Sequence, residues 1–271
     1  NWGNGNSIRA SLTYTKNKWI LPNTGFNRMV ASVSARAQIS RNLSINLRSS
    51  YTHRKMDNTP GLGYNSNSIS YWLIFMNSNI NLDWFKPRWY NGQENVKQLM
   101  PFTTYLANPY VILYESTNAS EKDEFINSLS ATLTISPKLD LMVRSGIQMY
   151  ADERSQRRPI SDIVFANGYY KQEKVTDYEI NSDALLSYHD TYDNGLSLNA
   201  SIGGNLMRRR YSYLGASVTG LITPGIYKLS NGASNPAVTS ERINKAINSI
   251  YFSANFNWRD MMFLDVTGRN D

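Results

Sequence analysis

The sequence predicts an all-β protein, a transmembrane antiparallel β-barrel, and three observations carry that reading. Segment after segment alternates apolar and polar residues with a period of two, as a strand does when its two faces meet different surroundings. The alternating segments run to roughly 10 residues or more, where ordinary strands average ~5 to 6. Tight turns of about two or three residues alternate with loops of roughly ten to several tens, so all turns fall at one end of the sheet and all loops at the other. A soluble sandwich is the competing architecture, but it usually shows shorter strands and turn signals every ~8 to 12 residues.

The first strand sets Ile8, Ala10, Leu12 and Tyr14 against Ser7, Arg9, Ser11 and Thr13. After a polar connection with Pro22, Asn23 and Gly25, the second sets Met29, Ala31, Val33, Ala35, Ala37 and Ile39 against Ser32, Ser34, Arg36 and Gln38. The chain turns at Ser40-Arg41-Asn42 and returns with Leu43, Ile45, Leu47 and Tyr51 on the apolar side. Residues 55–124 break the pattern: they form a long, Asn- and aromatic-rich loop in which Ile69 to Met76 reads either as a short helix or as an extended piece. Strands resume with Phe125, Leu129, Ala131, Leu133 and Ile135, turn at Ser136-Pro137-Lys138, and return with Leu139, Leu141, Val143, Ile147 and Met149.

A polar loop at 152–177 leads into the clearest hairpin. Its arms meet at Asp193-Asn194-Gly195, a turn whose Asn and Gly tolerate φ > 0. Here Ile180, Ala184, Leu186, Leu196, Leu198, Ala200, Ile202 and Leu206 are expected to face lipid, and Asn181, Asp183, Ser187, Ser197, Asn199 and Ser201 the lumen. A Gly/Ser/Asn/Pro-rich loop at 211–246 precedes the last hairpin, in which Ile250, Phe252, Ala254, Phe256 and Trp258 turn at Arg259-Asp260 into Leu264 and Val266. The count is about nine strands, with the loops 55–124, 152–177 and 211–246 expected outside the cell.

Composition excludes several classes. There are no cysteines, hence no disulfide framework and no thiol chemistry. The formal charge of +7 is scattered, with Arg208-Arg209-Arg210 and Arg154 to Arg158 as its clusters, so nucleic-acid binding is not expected. The longest apolar run, Tyr71 to Met76, is far short of the ~18 to 20 residues of a helical span. A mean hydropathy of −0.46 looks soluble but suits a barrel equally, since half of every strand faces water.

Several strings resemble the SusC/RagA family of TonB-linked outer-membrane transporters. These are Leu264-Asp265-Val266-Thr267 followed by Gly268-Arg269-Asn270-Asp271, together with Ile20-Leu21-Pro22-Asn23-Thr24, Asn108-Pro109-Tyr110, Asn181-Ser182-Asp183-Ala184-Leu185-Leu186, Gly203-Gly204-Asn205-Leu206-Met207, Pro224-Gly225-Ile226-Tyr227 and Asn248-Ser249-Ile250-Tyr251. They stand in the family's order over essentially the whole chain and are specific as a set. The resemblance implies a fragment of a 22-stranded barrel in a Bacteroidetes-type outer membrane, importing glycan or peptide oligomers with a SusD-like surface lipoprotein. It also implies that the signal, TonB box and plug precede residue 1, so that TonB would act through that region. A scaffold subunit in an envelope assembly and a soluble carbohydrate-binding module are the alternatives.

No catalytic or metal constellation emerges and no cofactor is expected; the chain does not read as an enzyme. His53 and His189 are read on polar strand faces, without metal-ligand spacing. Glu121, Asp123, Glu124, Asp152 and Glu153 are read in solvated loops. Trp84, Trp89, Tyr90, Tyr105 and Tyr110 of the long loop are candidate partner or ligand contacts, because aromatic faces stack on sugars and anchor interfaces, and packing of the loop itself is the third option. Arg48, Arg144, Asp183, His189 and Arg269, on polar faces, are candidate lumen or plug contacts.

Overall fold

The computed structural model describes residues 5–100 and 105–271. Its described residues form one nine-stranded sheet in which each strand is antiparallel to the next in sequence. The strands are β1 (Ser7–Lys18), β2 (Gly25–Gln38), β3 (Leu43–Met56), β4 (Asn118–Ser136), β5 (Leu139–Ile160), β6 (Asn167–Thr191), β7 (Leu196–Thr219), β8 (Ala237–Trp258) and β9 (Met262–Asn270). The long insertion between β3 and β4 carries α1 (Ile69–Phe75), a 3-10 turn (Leu82–Phe85) and α2 (Pro109–Tyr114).

Register converts the alternation of each strand into two faces of the whole sheet. On one, Leu43, Leu133, Leu141, Leu186, Ile202 and Phe252 lie side by side across β3 to β8. On the other, Asn46, Ser130, Arg144, Asp183, Asn205 and Ser249 do the same. The apolar face is exposed: Ile202, Leu206 and Ile250 show 57%, 54% and 67% of their surface. A sheet stable in water would cover such a face, so its natural solvent is apolar.

The apolar belt has a measurable height. On β5 it runs from Leu139 to Met149 and on β6 from Tyr178 to Tyr188. About ten residues at ~3.3 Å, tilted by ~40°, span roughly 25 Å, the height of the lipid-facing band of a barrel. The belt also slants across the sheet. Phe125 at its loop end lies in one row with Met149, Tyr178, Arg210 and Asn244, yet on β8 apolar side chains of that face resume only at Ala246 and Ile250. That drift is what strand tilt requires when a belt stays level while the rows do not.

Beyond the belt the strands continue, and here the sequence reading is corrected. The segments 152–177 and 211–246, expected as loops, are mostly strand; the true connections are 161–166 and 220–236. Likewise Glu121, Asp123, Glu124, Asp152 and Glu153 lie in β4 and β5, not in loops. Beyond the belt both faces are polar, so no apolar parity marks these strands. Ladder hydrogen bonds and cross-strand pairs hold them instead, such as Lys174–Glu153 at 3.0 Å and Arg209–Asp177 at 2.6 Å. His53 is also reassigned: it shares the face of Tyr51, opposite Met29, and its Nδ1 lies 2.9 Å from Asp123 Oδ1, whose carboxylate also accepts a bond from the Tyr51 hydroxyl at 2.5 Å.

At the other end the hairpins close tightly. Gly195 turns at φ +81°, and its carbonyl accepts from Arg259 N at 2.8 Å, stitching the β6–β7 turn to the β8–β9 turn. Arg259 and Asp260 both take positive φ, as a two-residue hairpin loop demands.

Candidate functional site

The insertion between β3 and β4 is a platform with an interior of its own. Ile69 and Trp72 of α1, Phe85 of the 3-10 turn, Leu106, Ala107, and Ile112 and Leu113 of α2 form one buried cluster. The helices are too short to be stable alone and are fixed by caps and packing. Ser68 Oγ accepts from Tyr71 N at 3.4 Å to start α1. Asn108 starts α2, its Oδ1 accepting from Tyr110 N at 2.9 Å and Val111 N at 3.3 Å, with Pro109 in the first turn, where its missing N–H costs nothing.

Asn108 is also the hub of the platform, fully buried with every polar atom of its side chain used. Its Nδ2 donates to Phe85 O at 2.9 Å and Leu99 O at 3.2 Å, and its backbone N donates to Gln98 Oε1 at 2.8 Å. Gln98 in turn donates through Nε2 to Ser161 O and through its backbone N to Ser161 Oγ at 3.2 Å. The hub is thereby tied to the β5–β6 connection. Asn23 and Asn58 both donate to Leu113 O, at 2.9 and 3.2 Å, and tie α2 to the β1–β2 connection and to the end of β3. Arg88–Glu115 at 2.7 Å braces the platform internally, and Arg157 Nε to Thr117 Oγ1 at 2.7 Å ties its end to β5.

The five aromatics singled out from sequence separate under this geometry. Trp89 is 8% exposed and packs the platform. Tyr110 lies against the core cluster and stacks on Tyr114 with centroids 6.4 Å apart. Tyr90 is half-exposed beneath Lys97, whose Nζ sits 5.1 Å from its ring. Trp84 and Tyr105, 55% and 76% exposed, line one open cleft of about 550 Å³ together with Tyr71, Phe75, Met76 and Ile80. That cleft has aromatic walls and a few polar groups at its rim, such as Asn77 and Asn79. Sequence reasoning did not find the Asn108–Gln98 hub; Asn108-Pro109 as a helix-start pair was the available signal.

On the polar face of the sheet, Arg144 forks onto Asp183, with Nε to Oδ1 at 3.0 Å and Nη2 to Oδ2 at 3.3 Å. Arg269 lies on the same face one step from that row, opposite Tyr251, and donates to Ser249 Oγ at 3.1 Å and to Asp271 Oδ1 at 2.7 Å. His189 stands 3.8 Å from Asp140 near the tight-turn end. Arg48 lies on this face opposite Ser34 and Ser128, with no charged partner among the described residues. Nearby, Gly203 is required by contact: a Cβ there would sit 2.6 Å from the Tyr251 ring. Above the belt, burial pushes the Tyr227 hydroxyl up to about 12, against the opposing charge of Arg157, whose guanidinium lies 5.5 Å from its ring.

No family model matches the chain, and no curated protein does. Solved structures do. The RagAB peptide transporter superposes with a TM-score of 0.76 at 18% identity over 98% of this chain, and the RagAB peptide importer in its open-open state with 0.78 at 19%. The siderophore receptor PiuA from Acinetobacter baumannii gives 0.60 at 10% over 99% of the chain. This chain spans about 30% of the RagAB chains it matches and 38% of PiuA. The fold is therefore that of a segment of a TonB-dependent transporter barrel, the nine-stranded sheet matching part of the barrel wall.

Proposed function

We propose that the chain forms part of the wall and mouth of an outer-membrane, TonB-dependent importer of glycan or peptide oligomers, working with a SusD-like surface lipoprotein. The observation that carries this reading is the platform at the loop end of the sheet: an insertion with its own core, fixed to the β1–β2 and β5–β6 connections, and presenting Trp84 and Tyr105 in an open cleft. Its likeness to a peptide importer supports the transport class. In this reading the apolar face meets lipid, and the tight turns lie in the periplasm with the platform outside. The polar face carrying Arg144, Asp183 and Arg269 meets the lumen and plug, and TonB engages a region of the protein before residue 1.

The test is a paired substitution, Trp84→Ala with Tyr105→Ala, in the full-length protein. Loss of one interfacial hot spot should weaken co-purification of the lipoprotein by roughly thirtyfold, about 2 kcal/mol, while the heat-shifted band of the folded barrel persists. Undiminished partner recovery with failed uptake would move these residues to the cargo path. No change in either would return them to loop packing.

A further inference from the structure

The charges just above the apolar belt are distributed unevenly on its lipid-side face. On β3 and β4 they are matched: His53 and Tyr51 meet Asp123, and Lys55 meets Glu121 at 3.6 Å. On β7 and β8 they are not. Arg208 follows directly on Leu206, Arg210 is one step further from the belt, and Arg242 lies diagonally across the strand pair, since Asn244 is the residue opposite Arg210. Successive same-face and diagonal positions are about 7 Å apart, so the three arginines stand in one series leading away from the belt.

Among the described residues, no carboxylate lies within ion-pair distance of any of them. Glu153, the acid of this face on the neighbouring strands, is held by Lys174, and Asp177 is on the opposite face, forked by Arg209. Arg208 donates only to backbone carbonyls, of Met207 at 2.8 Å and Ile247 at 3.4 Å, which aims it along the sheet surface. Arg208 and Arg210 line a groove of about 610 Å³ with Tyr178, Asn244 and Ala246, and Arg242 stands one step beyond Asn244 on the same face. Planar guanidiniums over an apolar wall, with an aromatic rim and no carboxylate partner among the described residues, match a phosphate carried on an acyl-chain body.

We propose that Arg208, Arg210 and Arg242 bind the headgroup phosphates of a phosphorylated outer-leaflet glycolipid, lipid A, seated with its acyl chains on the belt below. This rests on the barrel placement given above. It adds a lipid site distinct from the mouth cleft, on the opposite face of the wall from the Arg144–Asp183 row.

The experiment uses the full-length protein purified in detergent and titrated with lipid A or with enzymatically dephosphorylated lipid A, bound lipid being counted by native mass spectrometry. The wild type should prefer the phosphorylated form by tenfold or more. The triple variant R208Q/R210Q/R242Q should lose that preference, and R208K/R210K/R242K should keep most of it, with both variants checked for the heat-shifted band. Equal binding of the two lipids by the wild type, or an undiminished preference in the folded Gln variant, would overturn the proposal. If inorganic phosphate alone bound at these arginines and lipid A did not, the site would belong to a soluble anion and the lipid assignment would fall. Absence of the wild type from the outer-membrane fraction would sink the barrel placement as well, a result distinguishable from failure of the site alone.

Discussion

The platform between β3 and β4 and the sheet that carries it place their apolar side chains in opposite directions. The platform hides them: Trp72, Phe85 and Val111 are buried within a few tens of residues, and the backbone groups freed by its irregular path are met by Asn108, Gln98, Asn58 and Asn23. The sheet shows them: its belt is exposed over β1 to β9, and the buried apolar residues it does contain, Val175 and Val218, lie above the belt. A small core in water draws its stability from burial and side-chain satisfaction, whereas the wall draws its stability from ladder hydrogen bonds and from lipid. One chain therefore carries two kinds of solvent expectation, and substitutions should separate them.

The largest expected effect is in the platform. Trp72→Ala removes the ring that meets Phe85 edge-on at 5.6 Å and should cost about 3 to 5 kcal/mol of local stability. Limited proteolysis should then cut within 57–117 while the heat-shifted band stays; loss of the band as well would mean that platform and wall fold as one unit. In the wall, Ile202→Arg should cost about 2 to 4 kcal/mol if it sits near the bilayer midplane, and Ser201→Arg, on the polar face, much less. Equal costs in a refolding titration into lipid vesicles would remove the distinction between the faces. Smaller again is Asn108→Ala, expected at about 1 to 3 kcal/mol, since it deletes a cap and leaves the carbonyls of Phe85 and Leu99 short of a donor. Asn108→Asp keeps the cap but not the donor, so comparing the two by hydrogen exchange across α2 apportions the roles.

The same contrast explains what could be read in the sequence. Within the belt one face is apolar and the other polar, so Leu196 to Leu206 or Phe125 to Ile135 declare themselves by parity alone, and their register follows from it. Above it no face is consistently apolar: Asp152 to Arg158 carries no apolar side chain, and Val238 and Ile243 fall on opposite faces, so these segments look like loop although the ladder continues through them. His53 illustrates a related trap, a polar residue on the apolar parity, placed there because Asp123 and Tyr51 satisfy it just beyond the belt. The platform was legible as an aromatic-rich ordered loop. Which aromatics it buries was not, because Trp84 and Trp89 are separated by the three-dimensional course of the chain around Asn108, which leaves no periodic trace.

The extended strands above the belt are the middle case, wet on both faces yet regular, and the smallest prediction concerns what holds them. Burial works against ionisation of Glu173, but hydrogen bonds from Lys171 Nζ at 2.7 Å and the Tyr213 hydroxyl at 2.6 Å, with the charges of Lys171 and Arg154, outweigh it and keep its carboxyl below the ordinary carboxylate range. A folded-state pKa lying below the unfolded one means that the stabilisation is complete above the unfolded value and disappears as pH falls through the folded one. For a partly solvated pair its size should be about 1 kcal/mol or less. Hydrogen exchange at residues 170–176 and 212–217 should therefore accelerate on acidification to below the ordinary carboxylate range, and Glu173→Gln should flatten that response without touching amides of the belt. If belt amides at 196–206 respond as strongly as those above, the extension and the membrane wall open together, and the boundary drawn between them at Arg208 is not an energetic one.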